Sequence, residues 1–164
     1  MRQLSRHFSS IIVVLFLSFA VTACGFHLRG QLPLPDAVSV IYIDADRTDY
    51  TRELEKRLRG SGAKLVDNPS QAKAILQIKD EYAEREVLTL NTDSRATSYK
   101  LYYTVEYVLA NNKQELLKEG RLEEQNQYSF DSGQAVVQES QERELLEEMY
   151  EELALKLVRQ IGAL

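Results

Sequence analysis

Between Tyr99 and Leu109 every second residue (Tyr99, Leu101, Tyr103, Val105, Tyr107, Leu109) is large and apolar or aromatic. No other stretch constrains the fold as tightly. Side chains alternate across a strand with a period of two, so this set shares one face and has to be covered. The cover is written near the end of the chain. Over about 136–161, Leu145, Met149, Leu153 and Leu157 step by four, with Leu146, Tyr150, Ala154, Val158 and Ile161 beside them. That is the apolar stripe of one long helix. A strand and a helix of this kind bury their apolar sides against each other, as layers.

The remaining elements follow from the same two periods. Val38 to Ile43 is short, β-branched and apolar on both faces, which predicts a buried strand. Tyr50, Leu54 and Leu58 form one stripe of a helix over roughly 49–60. Thr48 or Asp49 can cap its start, and Gly60 and Gly62 can end it. Lys64 to Asp67 is a possible short extension strand. Ala72, Ala74, Leu76 and Ile78 alternate with Lys73, Gln77 and Lys79, which predicts a strand. The polar run 80–86 and the apolar Val87 to Leu90 continue it, as one long strand or as two with a bulge between. Asn91-Thr92-Asp93-Ser94 and Asn111-Asn112-Lys113-Gln114 are turn chemistry. Glu115 to Tyr128 is a weaker strand, interrupted by Gly120. The order β-α-β-β-β-α predicts an α+β fold: a two-layer sandwich of a mixed four-stranded sheet with two helices on one face. The first helix is a crossover, so strand one runs parallel to its neighbour, and the hairpins make the rest antiparallel.

The N-terminus reads as a removable export signal. Arg2 and Arg6 form its basic part, and Ile11 to Val21, broken only by Ser18, its apolar part. Eleven helical residues reach about 17 Å, short of a hydrocarbon core of about 30 Å. Val21-Thr22-Ala23-Cys24 resembles the lipobox of bacterial lipoproteins, in which the cysteine thiolate takes up a diacylglyceryl group as a thioether. Cys24 is the one cysteine in the chain, so no disulfide can form within it. Residues 1–23 are therefore expected to be the signal, 24–37 a lipidated tether in which Pro33 and Pro35 favour an extended path, and 38–164 a single domain. By resemblance to lipoprotein sorting signals, an aspartate at the position of Gly25 would mark inner-membrane retention, so its absence implies the outer membrane. Several acyl chains at about 0.8 kcal/mol per buried methylene hold a protein firmly.

The whole chain carries 20 basic and 25 acidic residues. Loss of Arg2 and Arg6 with the signal leaves 18 against 25, a net charge of −7. That argues against a general nucleic-acid or anionic-membrane binder, and an anionic ligand would need a local basic patch. One exists: from Val87 to Thr104 the one acid is Asp93, while Arg95 and Lys100 are present at and beside a turn. It reads either as a ligand-binding tip or as a solvated hairpin. Tyr102, beside Lys100 and Thr104, lies on the strand face away from the predicted helices, open to solvent or to a partner. Catalytic signals are sparse. His27 is the one histidine beyond the signal, and no nucleophile elbow, zinc motif or phosphate loop is present. The acidic runs at 80–86, 123–124 and 139–152 read as solvated faces. Asp44, Asp46, Thr48 and Glu55 mimic a calcium-loop spacing, but Asp49 stands where glycine is required, and a capped strand-to-helix connection explains the same residues.

Cys24-Gly25-Phe26-His27-Leu28-Arg29-Gly30, directly after the lipobox, is similar to the start of the mature LptE family of lipopolysaccharide-assembly lipoproteins. The order of elements and the last helix, with Glu148-Met149-Tyr150 and Leu157-Val158, support the resemblance. It implies a sheet packed on two helices and a non-enzymatic role. It implies a partner, the β-barrel LptD, whose polar lumen such a domain would plug, a contribution to the barrel's assembly, and direct contact with lipopolysaccharide. The site expected is therefore lipid attachment at Cys24, with Arg95 and Lys100 as lipopolysaccharide ligands inferred from the residues. No metal is expected, and no cofactor beyond the covalent lipid. The location expected is the outer membrane, on the periplasmic side and in the barrel lumen. A lipoprotein subunit of another outer-membrane machine, for barrel insertion or efflux-linked transport, is the alternative. A lipid-anchored cell-wall hydrolase with a carboxylate pair is a third reading.

Overall fold

The computed structural model describes residues 34–129 and 135–164, with the side chains of 135–139 outside the description. The elements run β1 (Val40–Asp44), α1 (Asp49–Gly60), β2 (Lys64–Leu65), β3 (Ala74–Leu90), β4 (Ala96–Asn111), β5 (Leu116–Ser129) and α2 (Ala135–Gly162). One sheet has the order β2-β1-β3-β4-β5. β1 is parallel to both β2 and β3, and the β3-β4 and β4-β5 pairs are antiparallel. The sheet is mixed, as expected, but it has five strands rather than four. The added strand is the possible extension at Lys64, where two residues pair with Val40 and Ile41. Two residues are too few to show an alternation. Val38 also departs from expectation: it is buried in a short turn, Asp36–Val38, ahead of the strand.

α1 begins at a reciprocal capping box. Thr48 Oγ1 accepts from the Thr51 N–H (3.1 Å) and Thr51 Oγ1 from the Thr48 N–H (2.8 Å). Such a cap contributes about 1 kcal/mol. Its end is a Schellman turn: Gly62 sits at φ 89°, with Ala63 N–H bonded to the Leu58 carbonyl and Gly62 N–H to that of Arg59. Both helices cover the odd-numbered face of β4. Tyr50, Leu54 and Leu58 of α1 and Met149, Leu153, Leu157 and Ile161 of α2 are fully buried with Leu101, Val105, Tyr107 and Leu109. Gly120 of β5 faces Tyr107, whose ring would stand 3.3 Å from an added Cβ. The phenol continues to α2, where its hydroxyl donates to Gln160.

β3 is one strand with interruptions. The register skips Lys79, between Ile78 and Asp80, and skips again near Leu88. Each skip is a bulge that moves later side chains to the opposite face. Ahead of Lys79, Ala74, Leu76 and Ile78 face the helices. Beyond it, Glu81, Ala83, Arg85 and Val87 do, because they pair with Val105, Tyr103, Leu101 and Tyr99.

Candidate functional site

Arg95 lies in the exposed connection between β3 and β4. Asn91 organises that turn: its side-chain oxygen accepts from the N–H groups of Asp93 (3.0 Å) and Arg95 (2.9 Å). Ser94 adopts the left-handed region, φ 58°. Lys100 stands five residues on, on the helix-free face of β4, about 16 Å along the strand. Its ammonium sits 5.0 Å from the Tyr102 ring centre, and its cross-strand neighbours are Glu86 and Gln127. The two cations thus share one end of the sheet without converging on a point. Val87, Leu88 and Leu90 are 48, 47 and 60% exposed at the same end, so the tip is both basic and apolar. Cys24 lies outside the described residues.

Arg85 was hidden in the polar run of the sequence. Alternation counted from Ala74 places it on the helix-free face, and the Lys79 bulge reverses that placement. Its guanidinium lies 4.7 Å over the Tyr99 ring and 3.3 Å from a Glu142 oxygen. Tyr128 donates to the same carboxylate at 2.6 Å. A hydrogen bond to Tyr128 holds the Arg85 pKa above its usual range. This knot ties the first half of α2 to the far half of the sheet.

A second knot lies nearer the core. The Glu81 carboxylate accepts from Thr48 Oγ1 (3.0 Å) and from the Tyr103 hydroxyl. It thereby joins the cap of α1 to the strand just past the bulge. Burial, then the bond to Glu81, pushes the Tyr103 phenol far up. Asp44 accepts from Gln77 at 3.0 Å. The Asp44 to Glu55 stretch is the capped strand-to-helix connection expected of it.

The helix-free face has its own character. Across the sheet its first rungs are Asp44–Gln77–Val108–Glu119 and Asp80–Glu106–Arg121. The next are Tyr82–Thr104–Glu123, Glu84–Tyr102–Gln125 and Glu86–Lys100–Gln127. Seven of these side chains are carboxylates, and Lys100 and Arg121 are the two cations. Arg121 lies 3.2 Å from Glu123, 3.7 Å from Glu106 and 5.9 Å from the Tyr82 ring centre. Thr104, between them, is almost fully covered.

Comparisons with known proteins follow the same lines. A family model described as LptE, Lipopolysaccharide-assembly, matches residues 36–161. A lipoprotein of Photorhabdus laumondii named LPS-assembly lipoprotein LptE is 24% identical over 159 residues, 92% of this chain and 84% of its own. One of the same name from Pectobacterium atrosepticum is 29% identical over 98 residues, 57% of this chain. The match spans about half, 53%, of that relative's length. The solution structure of lipoprotein B from Nitrosomonas europaea superposes with a TM-score of 0.72 at 26% identity, covering 85% of this chain and 91% of that one. The crystal structure of rare lipoprotein B from Shewanella oneidensis gives 0.67 at 22% identity, covering 76% of this chain and 94% of that one, and shows the fold alone.

Proposed function

This chain belongs to the LptE lipopolysaccharide-assembly family, and we propose from that premise that it acts without catalysis, as the lipopolysaccharide-binding plug and assembly factor of the outer-membrane barrel LptD. In this reading Cys24 carries the acyl chains that hold it to the outer membrane, and the folded domain sits in the barrel lumen from the periplasmic side. The observation that carries it is the tip. Arg95 and Lys100 stand beside exposed Leu88 and Leu90, so at this end of an acidic domain cations and apolar side chains meet. Lipopolysaccharide offers phosphates and carboxylates next to acyl chains, so both kinds of contact are available at once. Charge-assisted hydrogen bonds contribute about 1.5–3 kcal/mol each when shielded and less when exposed. Arg95 is the stronger candidate of the two, because Glu86 stands opposite Lys100.

The test is binding of the soluble domain to immobilised lipopolysaccharide at two ionic strengths, with circular dichroism as the folding control. Arg95→Glu with Lys100→Glu is expected to weaken binding at low salt, with Arg95→Glu supplying most of the loss. The difference from wild type should shrink as salt rises. Equal binding at low salt would remove the tip from the mechanism.

A further inference from the structure

Among the described residues, the well-exposed large apolar side chains fall at the two ends of the sheet. Val87, Leu88 and Leu90 belong to the tip. Leu116 and Leu164, 57 and 48% exposed, belong to the opposite end. Leu116 pairs with Ala110 beside the β4-β5 turn. Leu164 lies just past α2, four residues beyond Gln160, whose carbonyl accepts from Lys118. The chain also enters the core at this end. Leu34 packs on the core, Asp36 pairs with Lys73, and the Lys73 carbonyl accepts from the Asn112 N–H. Lys64, Lys73, Lys113 and Lys118 all stand at or next to the last pairs of the sheet here. Asp36 and Glu115 at this end are engaged, by Lys73 and by Asn111. The Lys64 and Lys113 side chains are exposed and, among the described residues, have no partner. The end where the chain enters is therefore locally basic and apolar, within a chain that is acidic as a whole.

Chain length selects the occupant of this end. Ten residues separate Cys24 from Leu34 and span at most about 35 Å. β3, with 17 residues, is about 50 Å long. A lipid on Cys24 therefore holds this end, and not the tip, close to the leaflet that receives the acyl chains. Confinement of that kind raises the effective concentration of headgroups at the surface, so a weak contact becomes populated. Lysines beside exposed leucines suit such a surface, the first meeting phosphates and the second the headgroup-acyl boundary. We propose that this end is a membrane seat: in the unassembled lipoprotein, Leu116, Leu164, Lys64 and Lys113 rest on the anionic phospholipid headgroups of the anchoring leaflet. The seat points the basic tip away from that leaflet. It rests on the lipid-anchor reading of Cys24 and not on the barrel.

The chain contains no tryptophan, so single tryptophans report without background. The test uses the full lipidated lipoprotein carrying Leu116→Trp, Leu164→Trp or, as the reference at the tip, Leu90→Trp. Each is reconstituted alone into vesicles of phosphatidylcholine and phosphatidylglycerol, with plain or brominated acyl chains, and bromine quenching is read. Bromine is expected to lower the emission of Leu116→Trp and Leu164→Trp about two-fold and to leave that of Leu90→Trp nearly unchanged. Adding Lys64→Glu and Lys113→Glu to Leu116→Trp is expected to remove most of its quenching, with circular dichroism unchanged. Equal quenching at both ends, or none at Leu116 and Leu164, overturns the proposal. So does full quenching in the folded Lys64→Glu, Lys113→Glu protein. Flotation separates the two readings. If the wild-type lipoprotein does not float with vesicles, the anchor and the seat fall together; if it floats and neither end is quenched, the seat alone falls.

Discussion

Tyr50 puts a hydroxyl into the core where, among the described residues, nothing accepts or donates to it. The residue is fully buried, and its ring centre lies 6.2 Å from that of Tyr103. A buried hydroxyl without a partner costs about 1–3 kcal/mol. Tyr50→Phe keeps the ring and removes that cost, so it is expected to stabilise the fold. The gain should fall near the low end, about 1 kcal/mol, because the small void left behind acts against it. Tyr103→Phe is the matched control. It deletes a hydroxyl that donates to the Glu81 carboxylate, and should cost about 1.5 kcal/mol. With an m-value of about 2 kcal/mol/M in urea, the first change should raise the midpoint by about half a molar and the second lower it by somewhat more. Residues 31–164, made as a soluble fragment and unfolded by urea with far-ultraviolet circular dichroism, suffice. A drop for Tyr50→Phe as large as that for Tyr103→Phe would show its hydroxyl to be engaged and refute the reasoning.

Leu153 is fully buried in the middle of the α2 stripe, so Leu153→Ala should cost about 2–5 kcal/mol in the same assay; an unchanged midpoint would reject its place in the core. Alkali should unfold the domain. Burial raises the phenol pKa of Tyr50, Tyr103, Tyr107, Tyr128 and Tyr150. The unfolded chain therefore loses these protons first, above about pH 10. The stability they lend is complete below that value and declines as pH rises toward the folded values. A midpoint flat from pH 9 to 12 would contradict this. At the N-terminus, Cys24→Ala should abolish lipid labelling and leave the precursor uncleaved, read by gel mobility and membrane fractionation; a mature-sized, membrane-bound product would dismiss the lipobox.

The layers were legible in the sequence because β4 and α2 each repeat one period over many residues. The same alternation that runs from Tyr99 to Leu109 is the row now packed under both helices. Thr48 and Gly62 were legible because caps and left-handed turns demand particular residues. β2 was not countable, since two residues carry no period. Arg85 could not be given a face for a different reason. A period-two count propagates until one extra residue resets it, and nothing in Ile78-Lys79-Asp80 announces that Lys79 is that residue. The acidity of the open face was hidden by the same slip, because Glu84 and Glu86 join the face of Tyr102 and Glu123 only after the bulge. Arg95 and Lys100 were visible as a gap in the acids, but their separation required the strand to be built.

β3 and β4 are hydrogen-bonded to each other along nearly their whole length, yet only part of that length is roofed. From Ala83 to Leu90 every residue of β3 is exposed, whereas Ala74 and Leu76 are fully buried. One ladder therefore passes through two climates. Amide protons at its roofed end can exchange only when the whole domain opens; those toward Asn91 can exchange by fraying, a few rungs at a time. A fray starting at the turn runs inward until it meets the Arg85 and Glu81 knots, which act as stops. The hairpin can thus breathe at its end on a clock set by those stops and not by the lifetime of the fold.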